Sequence, residues 1–303
     1  MRKVLLAELK RLPHVTSQLD AYGNLIATYR KGKKSARFVL GAHMDHPAWV
    51  RDDKADDGWT FLGWVPDSYL DKPANRKRRI DHGDFATWDV ETFAYRDGRV
   101  HGVACDDLIG CATILAVLSE LDRLGIDATV HGAFTRAEEV GFLGADELAK
   151  TWPFPKSTTF LSLETSTPRG GAEHGKGPVI RVGDRLSVFD DVTTGMLVAT
   201  AAAAKIPHQR ALLDGGSCEA TMMMAHGIPS AGISILLGNY HNLGPRNRIE
   251  AEFVDLSDVK ALIKLLLAVV EKPAPNPRAA LRKRIGALAK KNARHRKRAD
   301  QSR

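Results

Sequence analysis

Short apolar runs and stretches with helical spacing take turns along most of this chain. A turn signal, Asp20-Ala-Tyr-Gly-Asn24, precedes the strand-like run 25–29, and the buried-type run 37–43 leads into His43-Met-Asp45. Over 107–124, Leu108, Cys111, Leu115, Leu118 and Leu121 recur at helical spacing. Further strands are expected at 128–135, 159–163, 179–182 and 230–236. Helices are expected at 141–150, 188–204, 216–225 and 256–270. This alternation predicts an α/β fold with a mixed, largely parallel central sheet flanked by helices.

Two segments break the rhythm. Residues 47–99 hold four of the five tryptophans, two Asp-Gly turns and short alternating runs. They read as a small β-rich insertion. Pro273-Ala-Pro-Asn-Pro277 then ends the folded body. The expected organisation is a catalytic domain from 1–46 and 100–272, the insertion at 47–99, and a basic, disordered tail at 273–303.

Charge sharpens the last division. Residues 278–303 carry eleven Lys/Arg and one acid; the chain's +8 less the tail's +10 leaves the body at −2. Such a block is commonly a solvated extension, although Leu281, Ile285 and Leu288 would share one face of a short basic helix. It lacks the aromatic platforms that suit single-stranded nucleic acid, so nucleic-acid contact through it is expected to be weak. No apolar run approaches the roughly 18 residues that span a bilayer. The N-terminal run is interrupted by Glu8, Lys10 and Arg11 and reads as an amphipathic helix rather than a signal peptide. Cys105, Cys111 and Cys218 form neither a metal-type pair nor a disulfide framework. A cytoplasmic protein without membrane contact is expected.

In an open α/β sheet, chemistry gathers beyond the carboxyl ends of the strands. Five polar places fall at such ends: His43 with Asp45, Asp106-Asp107, Glu138-Glu139, Glu164 and His241. Each has a bland reading. An acidic pair ahead of a helix commonly serves the helix dipole, and a lone loop histidine commonly makes a hydrogen bond. Together they are harder to dismiss, because charge directly after an apolar run needs compensation. Two histidines and several carboxylates suit a borderline metal such as Zn²⁺, and one carboxylate could join two ions.

The order Asp20-x-x-Gly-Asn24, Ala42-His-Met-Asp45, Asp106-Asp107, Glu138-Glu-Val-Gly141 and a late His241 resembles the two-metal aminopeptidases of the glutamyl and tetrahedral type. These sit within a wider clan of zinc exopeptidases and deacylases. The resemblance covers roughly residues 1–272. It implies two divalent ions, zinc first, with cobalt or manganese as alternatives. His43 and Glu164 would hold one ion and Glu139 and His241 the other, with Asp106 between them. Glu138 would be the general base, Asp45 would orient His43, Asp107 would support the bridge, and the Asp106–Asp107 peptide would be cis. Glu164 stands where that family usually has aspartate, and His46-Pro47 where it often has an acid.

The implied function is hydrolysis of a peptide or amide substrate by a metal-activated water, most directly as an aminopeptidase, in a chain that can self-associate. A carboxypeptidase or N-acyl deacylase with the same metal site is the alternative. It would need a cation for the substrate carboxylate, from Arg136, Arg169, Arg210, Arg246 or Arg248. An alternative of another class is a nucleic-acid-associated protein with a vestigial site.

Overall fold

Four strands with almost unbroken apolar sequences sit side by side at the centre of the molecule. In the computed structural model, which describes residues 1–301 and their side chains apart from Arg76, Arg294, Lys297 and Asp300, these are Ala128–Thr135, Phe38–His43, Thr159–Ser166 and Ser230–Gly238. They pair in that order and run parallel. Burial on both faces is what such runs require. Antiparallel strands extend the sheet on either side. Leu25–Lys31 and Val15–Leu19 lie beyond Ala128–Thr135. Glu252–Asp255, Arg99–Gly102 and Phe93–Arg96 lie beyond Ser230–Gly238. Val179–Gly183 also pairs with Ser230–Gly238 and carries Gln209–Leu212 on its outer side. The result is one eleven-stranded mixed sheet with a parallel centre.

Residue alternation sends the strands' side chains into two cores. Phe38, Leu40 and Ala42 join the larger core with helices Cys105–Leu124, Asp191–Ala203 and Leu256–Glu271. Val39 points the other way, into a smaller core with Leu148, Phe160 and Met223, which covers helices Leu143–Thr151 and Glu219–Ala225.

Several boundaries differ from the sequence reading, each for a local reason. The strand expected to stop at 163 continues to Ser166, because Glu164, Thr165 and Ser166 stay in register with Ser234, Ile235 and Leu236. Helix Leu143–Thr151 starts late because Gly141 and Phe142 have φ of 109° and 60°. Helix Asp191–Ala203 starts where the Asp190 carboxylate accepts from the Thr193 amide at 2.7 Å. Helix Glu219–Ala225 follows a loop whose Cys218 amide is tied to Asp184 at 3.1 Å.

The insertion contains its own four-stranded sheet, ordered Trp59–Leu62, Ala48–Arg51, Phe85–Trp88 and Arg79–Asp81. Its core is Trp88 and Val90 against Ile249, with Trp49 and Phe61 alongside. Strand Phe93–Arg96 falls inside the expected 47–99 segment but belongs to the main sheet, through a tight turn at Asp97-Gly98 with φ of 52° and 75°. The tail expected as disordered forms helices Pro277–Lys291 and Ala293–Asp300. Asn276 caps the first from its side chain, and Pro277 takes the first helical position, where no amide donor is needed. Among the described residues no helix is long and apolar enough to cross a membrane.

Candidate metal centre

The carboxyl ends of the parallel strands open into one cleft. His43 closes strand Phe38–His43 and faces Glu164 from the next strand. Asp106 stands at the start of helix Cys105–Leu124, where its own backbone is not helical, and the peptide to Asp107 is cis. Glu138 and Glu139 ride the loop after strand Ala128–Thr135. His241 lies in a short turn after strand Ser230–Gly238, at φ 54°. The structure brings His43, Asp106, Glu138, Glu139, Glu164 and His241 together.

The distances divide these groups into two halves. His43 Nε2 lies 3.3 Å from Asp106 Oδ1 and 3.6 Å from Glu164 Oε1. His241 Nε2 lies 3.6 Å from Asp106 Oδ2 and 3.2 Å from Glu139 Oε2. Asp106 thus turns one oxygen to each half. Three groupings place potential ligand atoms within 4.8 Å of one another: His43 with Asp107 and Glu164, His43 with Glu138 and Glu139, and Asp106 with Glu139 and His241.

The chemistry of this set fits divalent cations. Asp106 Oδ1, Glu139 Oε1 and His241 Nε2 are buried without a hydrogen-bond partner. Buried polar atoms of this kind normally find one. The spacings of 3.2–3.6 Å also match the edge of a tetrahedral zinc shell, about 3.4 Å for bonds of 2.0–2.2 Å. Each imidazole donates from Nδ1 to a carbonyl, which can only accept: His43 to Asp45 O at 3.1 Å and His241 to Trp64 O at 2.6 Å. In the neutral ring that leaves the Nε2 lone pair aimed into the cleft.

Electrostatics point the same way. Burial opposes charge on His43, yet Glu138, Asp106 and Glu164 raise its pKa well above the usual imidazole value. Burial likewise opposes charge on His241, and Asp106 and Glu139 overcome it. Burial would raise Asp106, but the flanking His241 and His43 hold it well below the ordinary carboxylate range. Glu164 is pushed up to about 7, chiefly by burial, and Glu138 is raised well above its usual value by burial and then by Glu164, Glu139 and Asp106. A crowd of buried carboxylates with few cations is costly unless positive charge joins it.

The supporting contacts give Asp45 two partners. Asp45 steadies His43 through its main-chain carbonyl, while its carboxylate lies 3.8 Å from Nδ1. That carboxylate instead accepts from the amides of Glu138 and Glu139, both at 3.2 Å, and so holds the adjacent pair in place. The Asp20-x-x-Gly-Asn24 turn reaches the same loop. Asn24 donates to Gly144 O at 2.9 Å and accepts from the Arg136 amide at 3.2 Å.

Several contributors were not legible in the sequence. Glu252 is buried and accepts from the amides of Asp106 at 3.0 Å and His241 at 2.8 Å. In Glu250-Ala-Glu-Phe-Val-Asp255 it reads as an ordinary strand acid. His46 spans Asp106 O at 2.9 Å and Asn242 Oδ1 at 3.1 Å. Tyr240 stacks on His241 with ring centroids 3.7 Å apart. The insertion supplies the Trp64 carbonyl and anchors the following loop through Tyr69 Oη to Gly244 O at 3.0 Å. Arg169 lines the cleft, as one of the five arginines singled out from sequence, whereas Arg136, Arg210, Arg246 and Arg248 are absent from its lining; Arg181, not singled out, lines it too. The three cysteines are buried and unpaired.

The model of the M42 glutamyl aminopeptidase family matches residues 64–265. Among solved structures, the Pyrococcus horikoshii TET1 peptidase is 21% identical, with a TM-score of 0.74 over 89% of this chain and 93% of that one. It is described as able to assemble into a tetrahedron or a large octahedral shell. An aminopeptidase from the archaeon Desulfurococcus kamchatkensis is 21% identical, with a TM-score of 0.72 over 91% of each chain. A Thermotoga maritima protein described as an endoglucanase is 23% identical, with a TM-score of 0.64 over 89% of this chain and 91% of that one. At such identities these likenesses bear on the fold.

Proposed function

The chain belongs to the M42 glutamyl aminopeptidase family, and from that premise we propose that it removes N-terminal residues with two divalent ions shared across Asp106. It is a metal-dependent aminopeptidase of the zinc exopeptidase clan. In the proposed assignment His43 and Glu164 would hold one ion and Glu139 and His241 the other, with Asp106 placed between the two histidines and available to both. Zinc suits this mixture of imidazole and carboxylate. The observation that carries the reading is the position of Asp106, with Oδ1 3.3 Å from His43 and Oδ2 3.6 Å from His241.

When bound, the ions supply Lewis acidity toward the scissile carbonyl and a water. The remaining work falls to side chains. Glu138 takes a proton from the attacking water and returns it to the leaving amine. Its position in the cleft lining, with its amide held by Asp45, supports that assignment. Glu252 and Trp64 O keep His241 facing inward, and Asp45 O does so for His43.

Self-association is proposed as well, supported by the assemblies described for the TET1 peptidase. The two basic tail helices are proposed to make salt-sensitive nucleic-acid contacts. Support comes from the +10 charge of 278–303 and the exposure of Leu281, Ile285 and Leu288.

The test combines metal analysis with turnover of aminoacyl, peptidyl and N-acyl substrates. Two ions per chain and activity on free-amine substrates are expected. One ion at saturation would sink the shared-carboxylate assignment. Activity confined to N-acyl substrates would replace the aminopeptidase by a deacylase.

A further inference from the structure

Parallel strands give the molecule two unlike ends. The cleft lies at their carboxyl ends, and basic residues collect at their amino ends. Loop 30–37, which leads into strand Phe38–His43, reads Arg-Lys-Gly-Lys-Lys-Ser-Ala-Arg, with five cations and no acid. Arg30, Lys33, Lys34 and Arg37 are exposed, and Lys31 is half-buried. The loop is pinned to the sheet: Lys34 O accepts from Thr129 Oγ1 at 2.7 Å, and Arg37 O accepts from the Thr159 amide at 2.9 Å.

The tail starts from the same end. Lys34 and Arg37 border a groove of about 360 Å³ that Glu271 and Pro273, at the root of the tail, also line. From there the chain follows helix Asp191–Ala203 back to its first turn. The Ala274 amide donates to Thr200 Oγ1 at 2.9 Å, Pro277 packs at Gly195, and Arg278 pairs with Asp191 at 2.6 Å. That first turn lies at the amino end of strand Ser230–Gly238, where Ser230 O accepts from the Asp190 amide at 3.1 Å. Helix Pro277–Lys291 leaves the body here, and from Arg278 onward all its residues are exposed. Its 15 residues reach about 22 Å. Against these cations stand Asp127 beside Gly32, Glu271 in the groove and Asp191, the last already paired.

The distribution of charge selects the partner. Arg282, Lys283 and Arg284 are consecutive and so spread over about 200° of the helix circumference. They leave Leu281, Ile285 and Leu288 a narrow stripe, whereas a membrane-surface helix needs a broad apolar face; loop 30–37 has no exposed apolar residue to insert. Single strands need aromatic platforms, and neither 30–37 nor 278–303 contains an aromatic residue. Positive charge on several sides of one helix fits the deep, narrow major groove of A-form RNA, which has a phosphate row on either wall.

We propose that loop 30–37 and the tail helices together bind double-stranded RNA through its phosphates, at the end of the molecule opposite the cleft, so that a bound chain keeps its cleft open. This rests on the nucleic-acid reading of the tail and adds to it a second, rigid half on the body.

The experiment uses the metal-loaded full chain and a labelled RNA duplex of about 16–20 base pairs, the span that a duplex-binding domain covers. Anisotropy at several salt concentrations gives log K against log salt. Lys31→Gln, Lys33→Gln and Lys34→Gln together should weaken binding and flatten that slope by about 1 for each lysine that meets a phosphate. Deletion of 279–303 should also weaken it, and peptide turnover should be unchanged by saturating duplex. A wild-type slope in the lysine variant, with binding by the truncated chain weakened, would overturn the composite face and leave the tail reading standing. Full binding by the truncated chain, or none by the intact one, would remove the tail reading and the composite face with it. Inhibition of peptide turnover by the duplex would place the RNA at the cleft and overturn the far-end site. Tighter binding to a single strand or to the DNA duplex of the same sequence, or release of the RNA by phosphatidylserine vesicles, would overturn the assignment of the partner.

Discussion

Replacing Glu138 by glutamine keeps the side chain's size and removes its proton acceptor. Turnover should fall by roughly 10²–10⁴, the usual contribution of a positioned acid–base group, while metal content stays normal. Glu139→Gln should lose metal instead, because an amide is a poorer ligand for a dication. The check is metal stoichiometry and kcat on the same two preparations, and the reverse pattern would exchange the two roles. A second residue-scale expectation concerns pH. His131 is buried beside Phe154 and bonded to Thr28 Oγ1 at 2.9 Å. Burial first, and then the charge of Arg30, lower its pKa to about 4 from an ordinary 6.5. Between those values the unfolded chain binds a proton that the folded chain refuses. Stability therefore falls as pH drops from 6.5 toward 4, with a slope of at most about 1.4 kcal/mol per pH unit from this residue. Urea titrations of the chelated protein at several pH values should show that fall, and His131→Asn should flatten it. An unchanged slope in the variant would place the pH dependence elsewhere.

At the scale of elements, the strand that presents His43 is held by close packing. A Cβ on Gly41 would sit 2.0 Å from the Phe160 ring of the adjoining strand. Gly41→Ala should therefore displace Phe160 or shift strand Phe38–His43, costing about 1–3 kcal/mol as overpacking does. Because His43 ends that strand, metal affinity should fall as well. Chelated samples isolate the packing cost, and metal titration reads the displacement. Normal stability with normal affinity would show that Phe160 moves aside freely. The insertion acts on the opposite half. Tyr69→Phe removes the bond to Gly244 O, normally worth about 0.5–1.5 kcal/mol, and should loosen the turn that follows His241. Preferential loss of one ion in this variant, followed by metal analysis at limiting zinc, is the expected result.

For the whole molecule, the tail separates from the catalytic body. Its first turn is tied down: Arg278 pairs with Asp191 at 2.6 Å, and Pro277 packs where Gly195 leaves space. Deleting residues 279–303 keeps that anchor and removes the exposed basic helices. Peptide turnover and metal content should be unchanged. Binding to a fluorescent single-stranded RNA should weaken, and the slope of log K against log salt should flatten by about 0.7 for each phosphate that the tail no longer neutralises. Equal RNA binding by the truncated chain would dismiss the tail as a nucleic-acid surface. Loss of turnover in a folded, metal-loaded truncation would make it part of the enzyme.

Periodicity and local chemistry in the sequence were enough for the α/β class, the parallel centre and the placing of His43, Asp106, Glu138, Glu139, Glu164 and His241 at or near the carboxyl ends of strands. These are local properties: apolar runs mark buried strands, and charge next to such runs demands compensation. Tertiary structure decided what the residues do to one another. Asp45 turned out to hold the Glu138–Glu139 amides with its carboxylate and His43 with its carbonyl. Glu252 joined the amides of Asp106 and His241 across separations of 146 and 11 residues. Main-chain acceptors such as Trp64 O carry no residue-type signal, so nothing in the sequence marks their use. Arg181 sits in an apolar run, and only the neighbouring strand's Gly232 reveals the space its side chain fills. Contacts of this kind depend on which backbones approach across the sheet, and that is a property of the folded chain rather than of any segment of it.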